Sequence, residues 1–337
     1  MQGASGPAGP LDELDRLIVA GIAVNGRASW AQLGQAAGVS ETTAARRAGR
    51  LFESGVLGVV GMPDPLVCGF GQPVLIHLKC APGRVREVAS QLARRPDARL
   101  VVLITGTWDI AIELISPGRT NLAGVLIDEI QQMDGVRETS TEMVLRTFKL
   151  TFDWARDMLG DGVAALAPPE PTPPDIPVRL DDTDLALMAE LADDGRRSYA
   201  ELAPVLGISE SQVARRLTRL TGSGCIGFAA MVDPQVLGFE VEALLRLQVE
   251  LPRLEEAAAI LCAQTGARYV SMTTGGADLV CEVVLPDSAA LYRFITETLS
   301  SLPGLRTVET SPELQCIKRA YRSRRVTPAP TENGVNR

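Results

Sequence analysis

The chain has 337 residues, a length that predicts two or three domains, each long enough to bury its own core. Hydrophobic residues make up 46% of the chain and charged residues 22%, which is ordinary for a globular protein and excludes a wholly disordered or fibrous chain. The net charge of -8 argues against a protein that coats nucleic acid or a membrane by bulk charge, but it is compatible with a local basic surface.

The start of the chain and the cysteines indicate a cellular compartment. The first ten residues, MQGASGPAGP, contain no Lys or Arg and no apolar run, so no signal peptide is expected. The longest apolar stretch, residues 100–115, is interrupted by Asp109 and is shorter than the roughly 18 to 20 residues of a membrane span. The 6 cysteines form no CxxC pair and are expected to be reduced and mostly buried. We therefore expect a cytoplasmic protein that does not contact a membrane.

Residues 11–62 carry the pattern of three helices. Apolar residues at helical spacing predict an amphipathic first helix. A short second helix ends at Gly38, which can adopt the left-handed conformation, and a third begins at Ser40, a favourable N-cap. The buried stripe predicted for the third helix, at i, i+4 and i+7, is Ala44, Ala48 and Leu51. This order of helix, glycine turn and helix is typical of a helix-turn-helix domain.

The opposite face of the third helix carries hydroxyl and arginine side chains. Short side chains at a helix start can approach bases and phosphates, and guanidinium groups on the same face bind phosphate or guanine. We therefore predict that this face contacts double-stranded DNA, with Arg46 as the strongest candidate. The residues are Ser40, Thr42, Thr43, Arg46, Arg47 and Arg50. The competing interpretation is a merely solvated charged face.

Residues 72–152 carry a mixed pattern of strands and helices. Val74, Ile76 and Leu78 alternate with Leu75 and His77, which predicts a half-buried strand with His77 on its polar face. Helices are expected near 84–94 and 120–133, and further strands near 99–105, 109–115 and 138–148. The order βαββαβ predicts a ferredoxin-like sandwich with both helices on one face of an antiparallel sheet. The bare face of that sheet needs a partner.

The whole pattern occurs twice. LDELDRLI begins at Leu11 and LDDTDLAL at Leu180, 169 residues later, and no gap is needed from there to Lys149 and Lys318. We call the copies module 1 (residues 11–152) and module 2 (residues 180–322). Module 2 predicts a helix-turn-helix domain at 180–231 and a ferredoxin-like domain at 241–322, so the fold class is α+β. Its predicted DNA-facing residues are Ser209, Ser211, Gln212, Arg215, Arg216 and Arg219.

Two further segments lie outside the modules. Residues 160–179 contain PPEPTPPDIP, which predicts an extended proline-rich linker. Residues 323–337 lack apolar periodicity, which predicts a disordered tail. With such a linker between the modules, we expect each module to cover the bare sheet face of the other.

The motifs of both modules resemble the Lrp/AsnC (leucine-responsive and asparagine regulator) family of bacterial transcription factors. The matching segments are GRASWAQLGQAAGVSETTAARRAGRLFESGVL with DPLVCGFG, and GRRSYAELAPVLGISESQVARRLTRLTGSGCI with DPQVLGFE. The resemblance covers nearly all of both modules, although family members usually carry one module per chain. It implies a DNA-binding regulator whose mixed domains bind a small molecule, with an amino acid as the first candidate. It also implies pairing of the two modules within the chain and assembly into a homo-oligomer.

The resemblance places a ligand near the hairpin between the two central strands, at TGTWD (105–109) and TGGAD (274–278). Glycine there would permit close approach of the backbone, and a carboxylate such as Asp109 could bind an ammonium group. A tight turn also requires glycine and aspartate, so a purely structural role remains open. The predicted effector residues are Gly106, Asp109, Thr139, Ser140, Gly275 and Asp278.

No catalytic group is predicted. With His77 as the only histidine, neither a Cys and His metal site nor a Ser, His, Asp triad can form, and no GxxxxGK loop occurs, so no metal and no cofactor are expected. One alternative is a two-module enzyme similar to the siroheme decarboxylases, whose characteristic histidines and aromatic strand are missing from the central hairpins. The other is a metabolite sensor without DNA binding, because residues 180–231 hold eight Asp and Glu against five Arg, whereas 11–62 hold five of each.

Overall fold

The structure is a computed structural model that describes residues 11–168, 171–174, 176–320 and 322–323. The first ten residues and residues 324–337 of the predicted tail lie outside the described part of the chain. Within it, each module folds as a three-helix domain followed by a ferredoxin-like domain, so the predicted α+β fold is confirmed. No helix of the described residues is long and apolar enough to cross a membrane.

The helices and strands follow the same order in both modules. The α-helices of module 1 are α1 (Glu13–Val24), α2 (Trp30–Ala36), α3 (Glu41–Glu53), α4 (Val85–Ala93) and α5 (Arg119–Ala123), and a π-helix, Gly124–Ile130, continues α5. Those of module 2 are α6 (Asp182–Asp193), α7 (Tyr199–Leu206), α8 (Glu210–Gly222), α9 (Leu254–Ala263) and α10 (Ser288–Arg293), and a π-helix, Phe294–Thr298, continues α10. The strands of module 1 are β1 (Leu57–Pro63), β2 (Gln72–Cys80), β3 (Ala98–Ile104), β4 (Ile110–Ser116) and β5 (Val136–Leu150). Those of module 2 are β6 (Ile226–Val232), β7 (Val241–Val249), β8 (Ala267–Thr273), β9 (Leu279–Leu285), β10 (Leu305–Arg319) and β11 (Arg322–Ser323).

The turn between the second and third helices has the predicted geometry. Gly38 and Gly207 adopt positive φ angles of 69° and 65°, which a side chain would disfavour. The predicted buried stripe of α3 is confirmed, since Ala44, Ala48 and Leu51 are at most 2% exposed. The three-helix domains therefore pack one face of α3 or α8 inward and leave the opposite face at the surface.

Strands β1 and β6 join the two three-helix domains. They pair antiparallel, with Leu57 opposite Val232 and Val60 opposite Ala229. Because Val60 and Ala229 are equivalent positions of the repeat, a local twofold axis passes through this pair. The three-helix domains are therefore related by twofold symmetry.

Two arginines repeat that symmetry across the same junction. Arg27 donates hydrogen bonds to the carbonyl oxygens of Gly195 and Arg197, at 2.5 and 3.1 Å. Its counterpart Arg196 donates to the carbonyls of Gly26 and Ala28, at 2.7 and 2.9 Å. Burial lowers the pKa of Arg196 to about 10, reinforced by the nearby charge of Arg27. These bonds fix the orientation of the two domains.

The ferredoxin-like domains close on each other. Within module 1 the strand order is β5-β2-β4-β3, and module 2 repeats it as β10-β7-β9-β8. The far end of β5 pairs with β8 and the far end of β10 pairs with β3, which joins the two sheets at both sides. The bare face of each sheet is thus covered by the other module, as the sequence predicts.

The prediction that β2 is half-buried was wrong. Leu75 and His77 were expected on a polar face, yet they are 2% and 0% exposed. Their face packs on the sheet of module 2, while the alternate residues pack on the helices of module 1. Both faces of the strand are therefore buried.

The predicted linker is not extended at its start. The segment Arg156–Ala165 forms two short 3-10 turns separated by a kink at Gly160, and Leu159 and Leu166 are buried against α1 in the core of the first domain. The side chain of Asn25 donates to the Leu166 carbonyl at 3.1 Å. Apolar residues between the prolines and module 1 account for this packing, so the predicted range 160–179 begins inside the first domain.

Candidate functional site

The predicted DNA-facing helices begin at serine caps. The Ser40 hydroxyl accepts a hydrogen bond from the Thr43 amide at 3.2 Å, and that of Ser209 accepts one from the Gln212 amide at 3.3 Å. The Gln212 side-chain oxygen in turn accepts from the Ser209 amide at 2.9 Å, which completes the predicted capping box. Thr42 and its counterpart lie exposed in the first turn. Both helices thus present their amino-terminal turns to the outside.

Four of the six predicted arginines are engaged inside the protein. Arg47 bonds Asp12 and Asp15, and Arg50 bonds Asp15, which ties α3 to the start of α1. The matching pairs in module 2 are Arg216 with Asp181 and Asp184, and Arg219 with Asp184. Asp15 and Asp184 are 3% and 1% exposed, so their charges depend on these partners. These arginines position the helices.

The pKa of the aspartate that caps each first helix is lowered by a backbone amide and by an arginine. The Asp15 amide, and after it the Arg47 guanidinium, lowers the pKa of Asp12 below its ordinary value. The same arrangement lowers the pKa of Asp181. Both carboxylates are therefore ionised at neutral pH.

Arg46 and Arg215 differ from the other four arginines. Both are exposed, and no carboxylate or carbonyl of residues 11–168 or 176–320 bonds their guanidinium groups. They occupy equivalent positions of the two modules, on helices related by the local twofold axis. They are the two arginines of these faces that are free for an external partner.

The aspartates of the candidate effector hairpins form hydrogen bonds within their own modules. Asp109 accepts a hydrogen bond from the Cys80 amide at 2.8 Å and pairs with Lys79 at 3.1 Å. Asp278 accepts from the Val249 amide at 2.9 Å in the same way. Each carboxylate anchors its hairpin to the end of the neighbouring strand. A ligand ammonium at Asp109 would therefore compete with Lys79.

The glycines of these hairpins lie at contacts between modules. A Cβ atom on Gly275 would lie 3.3 Å from Glu142, and one on Gly106 would lie 3.5 Å from the Ser311 hydroxyl. Thr139 and Ser140 stand opposite Leu78 and His77 in the strand register, next to the segment that Gly275 touches. Each candidate site thus combines a hairpin of one module with the long strand of the other.

A buried polar cluster lies between the sheets, and the sequence analysis missed it. Arg246 pairs with Glu142 of module 1 and with Glu309, its neighbour on β10, the latter at 2.7 Å. Burial raises the pKa of Glu142, and Arg246 opposes that rise. His77 is next to this cluster, and burial followed by the charge of Arg246 lowers its pKa to about 3, so it is neutral. Trp108 lies beyond it, with ring centroids 6.1 Å apart.

This cluster is asymmetric about the twofold axis. The counterparts of Arg246, Glu142 and Glu309 in the other module are His77, Ser311 and Ser140. The sequence did contain a signal for this cluster: these strand positions carry charged residues in one module and uncharged residues at the equivalent positions of the other. The chain therefore contains one such charged cluster, whereas two identical modules would form two.

A second charged layer lies between the sheets and was also missed. Arg99 bonds both oxygens of Glu113, at 2.6 and 2.7 Å, and Arg268 forms the equivalent pair with Glu282. The carboxylates of Glu242, Glu282 and Glu313 lie close enough to hold a metal ion. Arg268 and Arg319 bond these carboxylates directly. Burial and the charge of Glu282 raise the pKa of Glu313 well above its ordinary value, so the two guanidinium groups face two carboxylates and one neutral carboxyl group.

Comparison with known proteins agrees with this architecture. The model of the AsnC-type helix-turn-helix domain matches residues 11–51 and 180–221, and that of the Lrp/AsnC ligand-binding domain matches residues 73–154 and 242–323. A regulator named Ptr1 from Methanocaldococcus jannaschii is 35% identical over 140 residues, which are 41% of this chain and 95% of that protein. The Bkd operon transcriptional regulator of Pseudomonas aeruginosa is 33% identical over 41% of this chain and 93% of its own length. Each relative thus spans one module.

Solved structures of a siroheme decarboxylase match both modules together. The siroheme decarboxylase NirDL superposes with a TM-score of 0.59 over 91% of this chain and 93% of that chain, at 16% sequence identity. At that identity the likeness shows a shared two-module fold and nothing about the reaction.

Proposed function

The chain belongs to the Lrp/AsnC family of DNA-binding transcriptional regulators, and from this premise we propose that it reads DNA through Arg46 and Arg215 and senses a small metabolite. The metabolite would bind at the hairpins between the ferredoxin-like domains, with an amino acid as the first candidate. We further propose that the chain acts in the cytoplasm without catalytic activity and assembles with other copies of itself.

The exposure of Arg46 and Arg215 supports this proposal. Among the residues that the structure describes, no carboxylate pairs with either guanidinium group, and both lie on the outer face of helices whose neighbouring arginines bond aspartates. A free guanidinium in such a place can bind guanine or phosphate without breaking an internal ion pair. Arg47, Arg50, Arg216 and Arg219 are then positioning residues that hold the helices in place.

The regulatory step would be a shift between populations of conformers. The Thr105 amide donates to the Pro312 carbonyl and the Thr274 amide to the Met143 carbonyl, at 3.0 and 2.9 Å, so both hairpins bridge the modules. A ligand that binds one arrangement of these bridges more tightly favours it. Leu150, at the end of β5, packs with Val60 and Ala229 of the strands that join the three-helix domains, and this contact would transmit the change to the DNA-reading helices.

The test is DNA binding by a doubly reversed variant. Arg46→Glu with Arg215→Glu should abolish binding to the region upstream of the chain's own operon in a gel-shift assay, with an unchanged thermal unfolding curve. The matched control is Arg94→Glu with Arg119→Glu, which reverses two exposed arginines of module 1 away from these helices. Equal binding by both variants would refute the proposed contact.

The two alternative functions have separate tests. A siroheme decarboxylase would form a specific visible-absorbing complex with siroheme and release carboxylate from it, whereas we expect neither. A sensor without DNA binding would give no sites in genome-wide footprinting of the tagged protein, whereas we expect defined sites.

A further inference from the structure

The twofold relation of the three-helix domains sets the layout of the DNA site. The register of β1 with β6 is symmetric about Val60 and Ala229, so the two outer helix faces are related by the same axis. Twofold-related reading helices meet half-sites in inverted orientation. In a regulator built from identical subunits those half-sites are also identical in sequence.

The two reading helices of this chain are not identical. At the first-turn positions module 1 has Thr42 and Thr43, whereas module 2 has Ser211 and Gln212. The Thr43 hydroxyl lies 2.9 Å from that of Ser40. The Gln212 oxygen is bound by its capping serine, so its amide nitrogen is left to donate to an acceptor on a base edge. The helices therefore offer different groups to the DNA.

The surroundings of the helices also differ in charge. A concave surface beside α8 is lined by Arg179, Arg215, Arg216, Arg219, Asp181, Asp184 and Leu180, with four positive and two negative side chains. Arg179 is exposed and has no ion pair among residues 176–320. Its counterpart in the sequence is Pro10, so the matching set of module 1 has three arginines against two aspartates. At these equivalent positions the side-chain charges sum to +2 in module 2 and +1 in module 1, although the three-helix domain of module 2 is the more acidic of the two overall.

We infer that the DNA site is an inverted repeat of two unlike half-sites, and that the half-site of module 2 is held more tightly because Arg179 binds an additional backbone phosphate. This inference rests on the proposed contacts of Arg46 and Arg215. Because one covalent chain always carries both helices, a DNA site with two different half-sites can match the base-reading residues of both helices at once.

Selection from random duplexes with the full chain identifies the two half-sites. Three duplexes are then compared: one with both half-sites, and two palindromes that repeat either half-site. The mixed duplex should bind most tightly, by roughly 5- to 150-fold for each base contact that a palindrome loses. Equal affinity for all three duplexes would overturn the inference. If no sequence is enriched, the proposed DNA contact itself fails.

Exchanging the first-turn residues provides the matched variants. Thr42→Ser with Thr43→Gln gives module 1 the readers of module 2, and this variant should prefer the palindrome of the module 2 half-site. The reciprocal Ser211→Thr with Gln212→Thr should prefer the other palindrome. All four positions are at the surface, and thermal unfolding checks that the fold is kept. Unchanged preference in both variants would show that these residues do not read the sequence.

The phosphate contact is tested by salt dependence. Arg179→Gln should reduce the slope of log affinity against log salt concentration by about 0.9, the amount expected for one phosphate contact. The loss should be the same for every duplex, because a phosphate contact carries no sequence information. Arg94→Gln, which also removes one exposed arginine, should leave the slope unchanged. An unchanged slope for Arg179→Gln would remove this residue from the interface.

Discussion

Replacing Arg246 by methionine tests the buried polar cluster between the modules. The change removes the guanidinium that bonds Glu142, whose side chain is fully buried and whose second oxygen has no hydrogen-bond partner among the described residues. A buried carboxylate that loses its only charged partner destabilises a protein by about 3–5 kcal/mol. Since the free energy of unfolding of a protein is about 5–15 kcal/mol, the loss should be plain in urea unfolding at pH 7.

The pH dependence identifies the group that causes this loss. Burial raises the folded-state pKa of Glu142 above its ordinary value of 4.5, and removing Arg246 raises it further. A carboxyl with a raised folded pKa favours the folded state below the unfolded pKa, and that contribution is lost as pH rises through the folded pKa. The difference between variant and wild type should therefore shrink toward pH 4.

The double variant Arg246→Met with Glu142→Gln is the control. It removes the stranded charge and should recover most of the lost stability at pH 7. The side chain of Glu309 is 30% exposed, whereas that of Glu142 is fully buried, so the loss of Arg246 should cost less at Glu309. A single variant that costs less than about 1 kcal/mol, or a double variant as unstable as the single, would refute this account of the cluster.

Three further changes test other parts of the structure. Asp15→Asn should cost about 1–3 kcal/mol in thermal unfolding, because it weakens the bonds from Arg47 and Arg50; a cost within error of zero would contradict their positioning role. His77→Leu should lose less stability than wild type on acidification from pH 6.5 toward 3, by at most about 1.4 kcal/mol per pH unit, because the folded state resists protonating this histidine; parallel curves would show that it titrates normally. Trp154→Ala should cost about 3–5 kcal/mol in urea unfolding, since its ring is 4% exposed and packs edge-on against Phe239, 4.8 Å away; a small cost would mean that this junction is loose.

Local features were predictable from the sequence, and the structure explains why. A serine cap, a glycine with positive φ and a buried helical stripe each depend on a few consecutive residues, as at Ser40, Gly38 and Ala44. The order of strands and helices followed from local periodicity. The exact 169-residue repeat then made the second module as predictable as the first.

The polar residues between the sheets depend on contacts that the local pattern does not contain. His77 alternates correctly for a half-buried strand, but the neighbouring module covers the face that it occupies. Helical periodicity likewise placed Arg46, Arg47 and Arg50 on one outer face. The distinction among them depends on Asp15, which lies on a different helix. The DNA contacts and the effector residues are predictions of the sequence.

The exchange of strand ends between the two sheets has a consequence for assembly in the cell. Because β5 pairs with β8 and β10 with β3, each module supplies the edge that the other sheet would leave open to unwanted strand pairing. The two partners are made on one polypeptide, so their encounter is intramolecular and does not weaken on dilution. A regulator built from separate subunits loses its paired form at low concentration, whereas this pair should persist at a few copies per cell.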